Sequence, residues 1–265
     1  MRYLFYFVLF CTVSISCSRE VMDPQTGSLA VRFDNVVGGA DLNLNGTTYT
    51  NSSGEPYTIS ALNYFVSNIR LRKVDGSEYV VPQDSSYFLV RESDATSQTI
   101  RLNNVPLAQY TGLSFLVGVD SLRSVSGVDK RTGVLDPGTG SHTSGMAWDW
   151  NTGYIFMKLE GTSPVVNPDA TGNRNYRFHI GLFGRNGTPN NLRRVSIAFD
   201  GASVTPDNPA RSLVTIRANV QTIFAGRTRL SLAQSPNIMI APKSSEVADN
   251  YAGMFSFGNL TTGPQ

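Results

Sequence analysis

A spacing limits what this chain can fold into. Apolar residues recur at every second position in short runs. No window of twelve residues carries them at three- and four-residue spacing. In Leu29-Ala30-Val31-Arg32-Phe33, the side chains of Leu29, Val31 and Phe33 fall on one face of an extended chain. Further β-rich runs lie at 57–71, 87–91, 99–102, 114–119, 154–159, 176–182, 193–199, 212–220 and 237–240. Turn formers separate them: Asp75-Gly76, Pro82, Asn186-Gly187, Asp200-Gly201 and Asp207-Asn208-Pro209. Strands at this density, without an internal repeat or second boundary, predict one all-β domain. Its expected form is an antiparallel β-sandwich with long loops and at most short helical turns. Two places read as such turns: 60–64, with Ser60 as cap, and 246–251.

The first residues bear on destination. Residues 3–16 are largely apolar but fall short of the roughly 20 needed to span a bilayer. They read as a signal peptide over 1–16. Ser16 directly precedes Cys17, the pattern of a bacterial lipoprotein in which Cys17 is lipidated. Ordinary secretion with cleavage nearby is the alternative. Residues 17–28 then read as lipidated cysteine and tether, 29–257 as the domain, and 258–265 as a polar tail. Cys11 and Cys17 are the two cysteines, so a chain cut before Cys17 has no disulfide and depends on its core. A domain of this length buries enough surface for that.

The formal charge of +2 is scattered, which is no nucleic-acid footprint. No nucleophile elbow, phosphate loop or metalloprotease helix occurs, so the chain is read as a non-enzyme. Asp120, Asp129 and Asp136 are spaced too widely for a calcium loop and read as turn or cap residues. Glu160 reads as a buried carboxylate paired with an arginine.

One stretch stands apart: "GMAWDWNTGYIFMKLEG", residues 145–161, which holds both tryptophans. If extended, Met146, Trp148 and Trp150 share a face, each roughly 7 Å from the next. Asn151-Thr152-Gly153 reads as a turn, after which Tyr154, Phe156 and Lys158 share one face and Ile155, Met157 and Leu159 the other. His142 lies in a glycine-rich loop just upstream; His179 faces away from Phe178 and Ile180. Two readings of the stretch stand: aromatic core packing, or soft-metal ligands gathered on one ribbon.

Five blocks occur in a fixed order: "LNYFVSNIRL" (62–71), "GVDSLRSVSGVDKRTGVLDP" (118–137), "GMAWDWNTGYIFMKLEG" (145–161), "FHIG" (178–181) and "ADNYAGMFSF" (248–257). With "FDNVVGGADLNLNGTTYTNSSGEPYTI" (33–59), they resemble the MbnP family of bacterial secreted proteins and lipoproteins. The resemblance runs from about Leu29 to Phe257. It implies a β-rich fold and a role in copper handling at the cell envelope, through histidines and a tryptophan oxidised to kynurenine. It also implies a dihaem peroxidase-like partner for that oxidation. The implied copper residues are His179, in the "FHIG" block, and His142. Trp150, Trp148 and Met146 join them, Trp150 being favoured for modification; Met254 is a further soft donor. Imidazole suits copper, and thioether favours the cuprous ion. The implied location is the Gram-negative outer membrane, with the lipid anchor at Cys17. The chain departs from the family's pattern at Asp84-Ser85-Ser86 and at Gly258-Asn259-Leu260, where relatives often carry histidine. The alternative function is a non-metal surface module that binds protein or glycan.

Overall fold

The computed structural model describes residues 25–141, 144–148, 153–207, 210–240 and 242–262. The alternating run at 29–33 lies within β1 (Thr26–Val37), and Leu29, Val31 and Phe33 all enter the main core. The principal strands that follow are β2 (Ala61–Lys73), β3 (Tyr87–Arg91), β4 (Thr99–Pro106), β5 (Tyr110–Val117) and β6 (Ile155–Thr162). Then come β7 (Asn175–Gly181), β8 (Arg193–Ala198), β9 (Ser212–Asn219) and β10 (Phe255–Thr262).

One sheet runs β10-β9-β1, with β4 on the other edge of β1. The second is organised around β2. Strands β6 and β5 lie end to end along one edge of β2, and β3 lies along the other. Outside β6 comes β7, and outside β5 comes β8. The two inner faces build a core in which rings from both sheets meet edge to face. Phe33 of β1 lies 5.6 Å from Phe115 of β5, and Phe255 of β10 lies 5.1 Å from Phe115. Such T-shaped contacts set the positive ring edge against the negative face.

The all-β sandwich is what the period predicted, with five differences. The pairing is mixed, because β1 and β9 run parallel from Ala30↔Leu213 to Val36↔Asn219. Alternation fixes a strand's faces and is silent on its neighbour's direction. Residues 61–64 open β2 instead of forming a helical turn, because Leu62 and Tyr64 fill the core. The turn expected at 246–251 is a full helix, α1 (Pro242–Ala252), burying Val247, Ala248 and Tyr251 on one side. The strand β10 continues through Thr262, into the stretch read as a tail, because Val214 and Thr215 of β9 pair with Leu260 and Asn259. At the other end β1 begins at Thr26, inside the stretch read as tether.

One buried carboxylate ties distant loops together. Glu55 is 8% exposed. It accepts hydrogen bonds from Asn51 Nδ2, Ser231 Oγ and the backbone N–H groups of Leu232 and Ala233. Burial pushes its carboxyl up, but these four donors outweigh that and hold it below its usual 4.5. A lowered folded-state value adds stability above the unfolded-state value, and that stability drains away as pH falls through the folded one. Glu55→Gln is therefore expected to cost about 1–3 kcal/mol at neutral pH, the range for hydrogen bonds to a charged group. The deficit should shrink below about pH 4.5. Urea unfolding of both proteins across acid pH measures it; a gap independent of pH refutes the assignment.

Candidate metal-binding site

The outer face of the β2 sheet is half apolar and half polar. Phe156, Lys158 and Glu160 of β6 point outward, while Met157 and Leu159 enter the core. Tyr154 joins the outer cluster, as expected, but a register shift between Ile155 and Met157 turns Ile155 outward with it, away from the face of Met157 and Leu159 on which the alternation had placed it. On β7, Phe178 and Ile180 face the core and His179 faces out, as the alternation predicts.

Backbone pairing sets the polar half in a row. Arg91 lies opposite Asn63, Asn63 opposite Lys158, and Lys158 opposite His179. Glu160 is one step diagonal from His179. Its Oε1 is 2.6 Å from His179 Nε2 and 3.8 Å from Lys158 Nζ. The His179 side chain is 14% exposed. The hydrogen bond to His179 holds the Glu160 carboxyl below its usual range; burial opposes this, and the Lys158 charge adds to it. The closest charged partners of Glu160 are thus a histidine and a lysine, while the expected arginine is present as Arg177, directly opposite Glu160 in the register, and its charge lowers the carboxyl to a smaller extent. Sequence alone does not give cross-strand register, so this pairing was not legible there.

The long connection 118–154 folds over the apolar half. Leu135, Met146, Trp148 and Tyr154 meet Phe65 and Phe156 there in a second cluster. The Tyr154 hydroxyl donates to Leu135 O, and Ile155 N–H donates to Met146 O. Met146 is fully buried and Trp148 is 8% exposed. Among the described residues of the expected extended run, Ala147 makes an isolated bridge to Tyr154. His142, Trp150 and the lipidation candidate Cys17 lie outside the described residues. Asp120 caps the turn at Ser121–Ser124 by accepting from Arg123 N–H. Asp136 accepts from the N–H groups of Gly138 and Thr139.

Two glycines show where this connection meets the polar row. A Cβ at Gly145 would lie 3.0 Å from Lys158 Nζ, and the backbone there has φ of +65°. A Cβ at Gly181 would lie 2.4 Å from Tyr154 O and 2.7 Å from the Trp148 ring. Trp148 thus covers β7 at Gly181, the next outward position after His179, about 7 Å along the strand. Neither glycine's role was visible in sequence, because each is defined by a contact across the fold. Gly181→Ala should cost about 1–3 kcal/mol, the usual price of overpacking, and shift tryptophan emission to the red as Trp148 is displaced. Thermal unfolding and fluorescence test this; a variant with native emission and stability refutes the contact.

The sequence model of the MbnP family matches residues 26–240. The chain belongs to the MbnP family. Among solved structures, it is similar to MbnP from Methylosinus trichosporium, at 20% identity and a TM-score of 0.52. The match covers 76% of this chain and 78% of that one, and at such identity it speaks for a shared fold. No curated protein sequence matches the chain.

A copper ion asks for imidazole or thioether donors. His179 offers Nδ1, which takes no hydrogen bond among the described residues, while Nε2 is engaged by Glu160. Among the described residues, no three His, Cys, Asp or Glu side chains converge. The residues therefore fit one ligand of such a centre. The described loop residues 144–148 lie over the same face, with Gly145 beside Lys158 and with Met146 and Trp148 in the apolar cluster. The same face also holds a pocket of about 500 Å³, lined by Phe88, Arg91, Arg101, Val134, Thr139 and Ser144 among others.

Proposed function

We propose that this MbnP-family chain is a copper-binding lipoprotein of the Gram-negative cell envelope, a binding protein rather than an enzyme. One observation carries the reading. His179 stands outward on β7 with one ring nitrogen anchored to Glu160, close to the described loop residues Gly145 and Trp148. His179 and His142 are the proposed imidazole ligands. Trp150 is the residue proposed for oxidation to kynurenine, by a dihaem peroxidase-like partner. That oxidation opens the indole and exposes a carbonyl and an aniline nitrogen as potential ligands. Met146 and Trp148 would act from behind, since their side chains are packed in the apolar cluster. The lipid on Cys17 is the proposed membrane attachment.

The test is metal analysis of the full chain, purified from cell envelopes and equilibrated with copper. Stoichiometric copper is the expected result, and its absence overturns the reading. Mass spectrometry of the tryptic peptide spanning both tryptophans tests the oxidation, an unmodified peptide arguing against it. Labelling with a radioactive fatty acid tests Cys17.

A second reading is favoured by the pocket beside this loop: a non-metal surface module. Its apolar floor and the guanidinium groups of Arg91 and Arg101 suit an acidic glycan or peptide. Glycan-array binding lost in Arg101→Ala, in a protein that takes up no copper, would select it over the first.

A further inference from the structure

We infer that Glu160 sets the tautomer and orientation of His179, so that Nδ1 is the nitrogen presented to a metal. The inference deepens the copper reading and rests on it for its biological purpose. The geometry itself can be tested without metal.

An ionised carboxylate only accepts hydrogen bonds, so the 2.6 Å contact to Glu160 Oε1 requires a proton on His179 Nε2. In a neutral imidazole the other nitrogen, Nδ1, then carries the lone pair. Metal-bound histidines in general donate their second ring nitrogen to a carboxylate or carbonyl, which fixes the ring and raises ligand basicity. Here that carboxylate is Glu160. A neighbouring charge holds it. The Lys158 ammonium stands 3.8 Å from the same oxygen, and Lys158 lies directly opposite His179 in the β6–β7 register. Lys158 is in turn confined from above by the backbone at Gly145, which leaves no room for a Cβ without crowding Nζ. The ring is largely enclosed, so an end-for-end flip would bring carbon against the carboxylate and strand its charge. Glu160 is thus a positioning residue, and Lys158 fixes Glu160 from the neighbouring side of the strand.

The sequence makes the test unusually direct, because the chain has two histidines. Long-range proton–nitrogen correlation spectra of the full, metal-free chain, labelled at histidine and held above the imidazole titration, report each tautomer separately. His179→Ala assigns the signals. The expected result is a single Nε2–H tautomer for His179, and a mixture in Glu160→Ala. Glu160→Asp, which withdraws the carboxylate by one methylene while keeping its charge, should also give a mixture and covers the case in which the alanine variant fails to fold. An Nδ1–H tautomer in the native chain, or a native pattern in both variants, overturns the inference whatever the metal result. On copper titration the alanine variant should bind roughly 10–100-fold more weakly, as for other outer-sphere partners. Copper affinity equal to the native chain's also overturns it. A chain with the Nε2–H tautomer that binds no copper at all refutes the functional reading alone.

Discussion

His179→Ala is expected to weaken copper binding by more than about 100-fold, beyond the roughly 10–100-fold typical of losing a residue that only supports a ligand. The ring is the sole imidazole on the described part of this face, and its Nδ1 is its free donor. Deleting it removes a ligand outright. The fold should survive, because His179 points away from the core that Phe178 and Ile180 fill on either side of it. Its loss leaves Glu160 with Lys158 still 3.8 Å away. One hydrogen bond to a charged group is worth about 1.5–3 kcal/mol, so a fall in stability of that order is the ceiling. Competitive titration with a cuprous chelator reads the affinity, and thermal unfolding reads the fold. Arg177→Ala is the control, two positions along the same strand and the same face. Unchanged affinity in the His179 variant would move the copper site off β7 altogether.

Phe115→Ala should produce the largest loss of stability, about 3–5 kcal/mol. Phe115 has no exposed surface and meets Phe33 and Phe255 edge to face, so it joins the two sheets at mid-core. Truncation removes both the transferred apolar area and the ring contacts. Its own strand β5 is paired on both sides, to β8 and to β2, so the backbone there cannot collapse into the space. For a chain of this size, the melting temperature should fall by roughly 6–20 °C. Leu122→Ala, at a position 81% exposed, should change stability by no more than about 0.5 kcal/mol. Equal effects at the two positions would mean that the sheets are not packed through Phe115.

Much of the architecture could be read before any coordinates. The run at 29–33 gave the correct inward residues, and Phe178 and Ile180 were correctly set on the face opposite His179, since a two-residue period assigns faces without knowledge of neighbours. The helix at Pro242–Ala252 was underestimated because its apolar side is short; only Val247, Ala248 and Tyr251 mark it as they close over the rest of the fold. The site was half legible. His179 could be placed on an outward face from Phe178 and Ile180 alone. Lys158 and Glu160 could be placed outward as well, yet nothing local told which strand would lie beside them.

The sequence by itself determined the fold class, the inward residues of β1, the outward face of His179 and the family, because period and ordered motifs are local properties of the chain. The tertiary structure alone decided that β1 and β9 run parallel, that Glu160 meets an imidazole, and that Trp148 lies over Gly181. Each of these depends on strand register and on how a long connection folds back. Both are set by the summed burial of the whole core, a quantity no single segment contains.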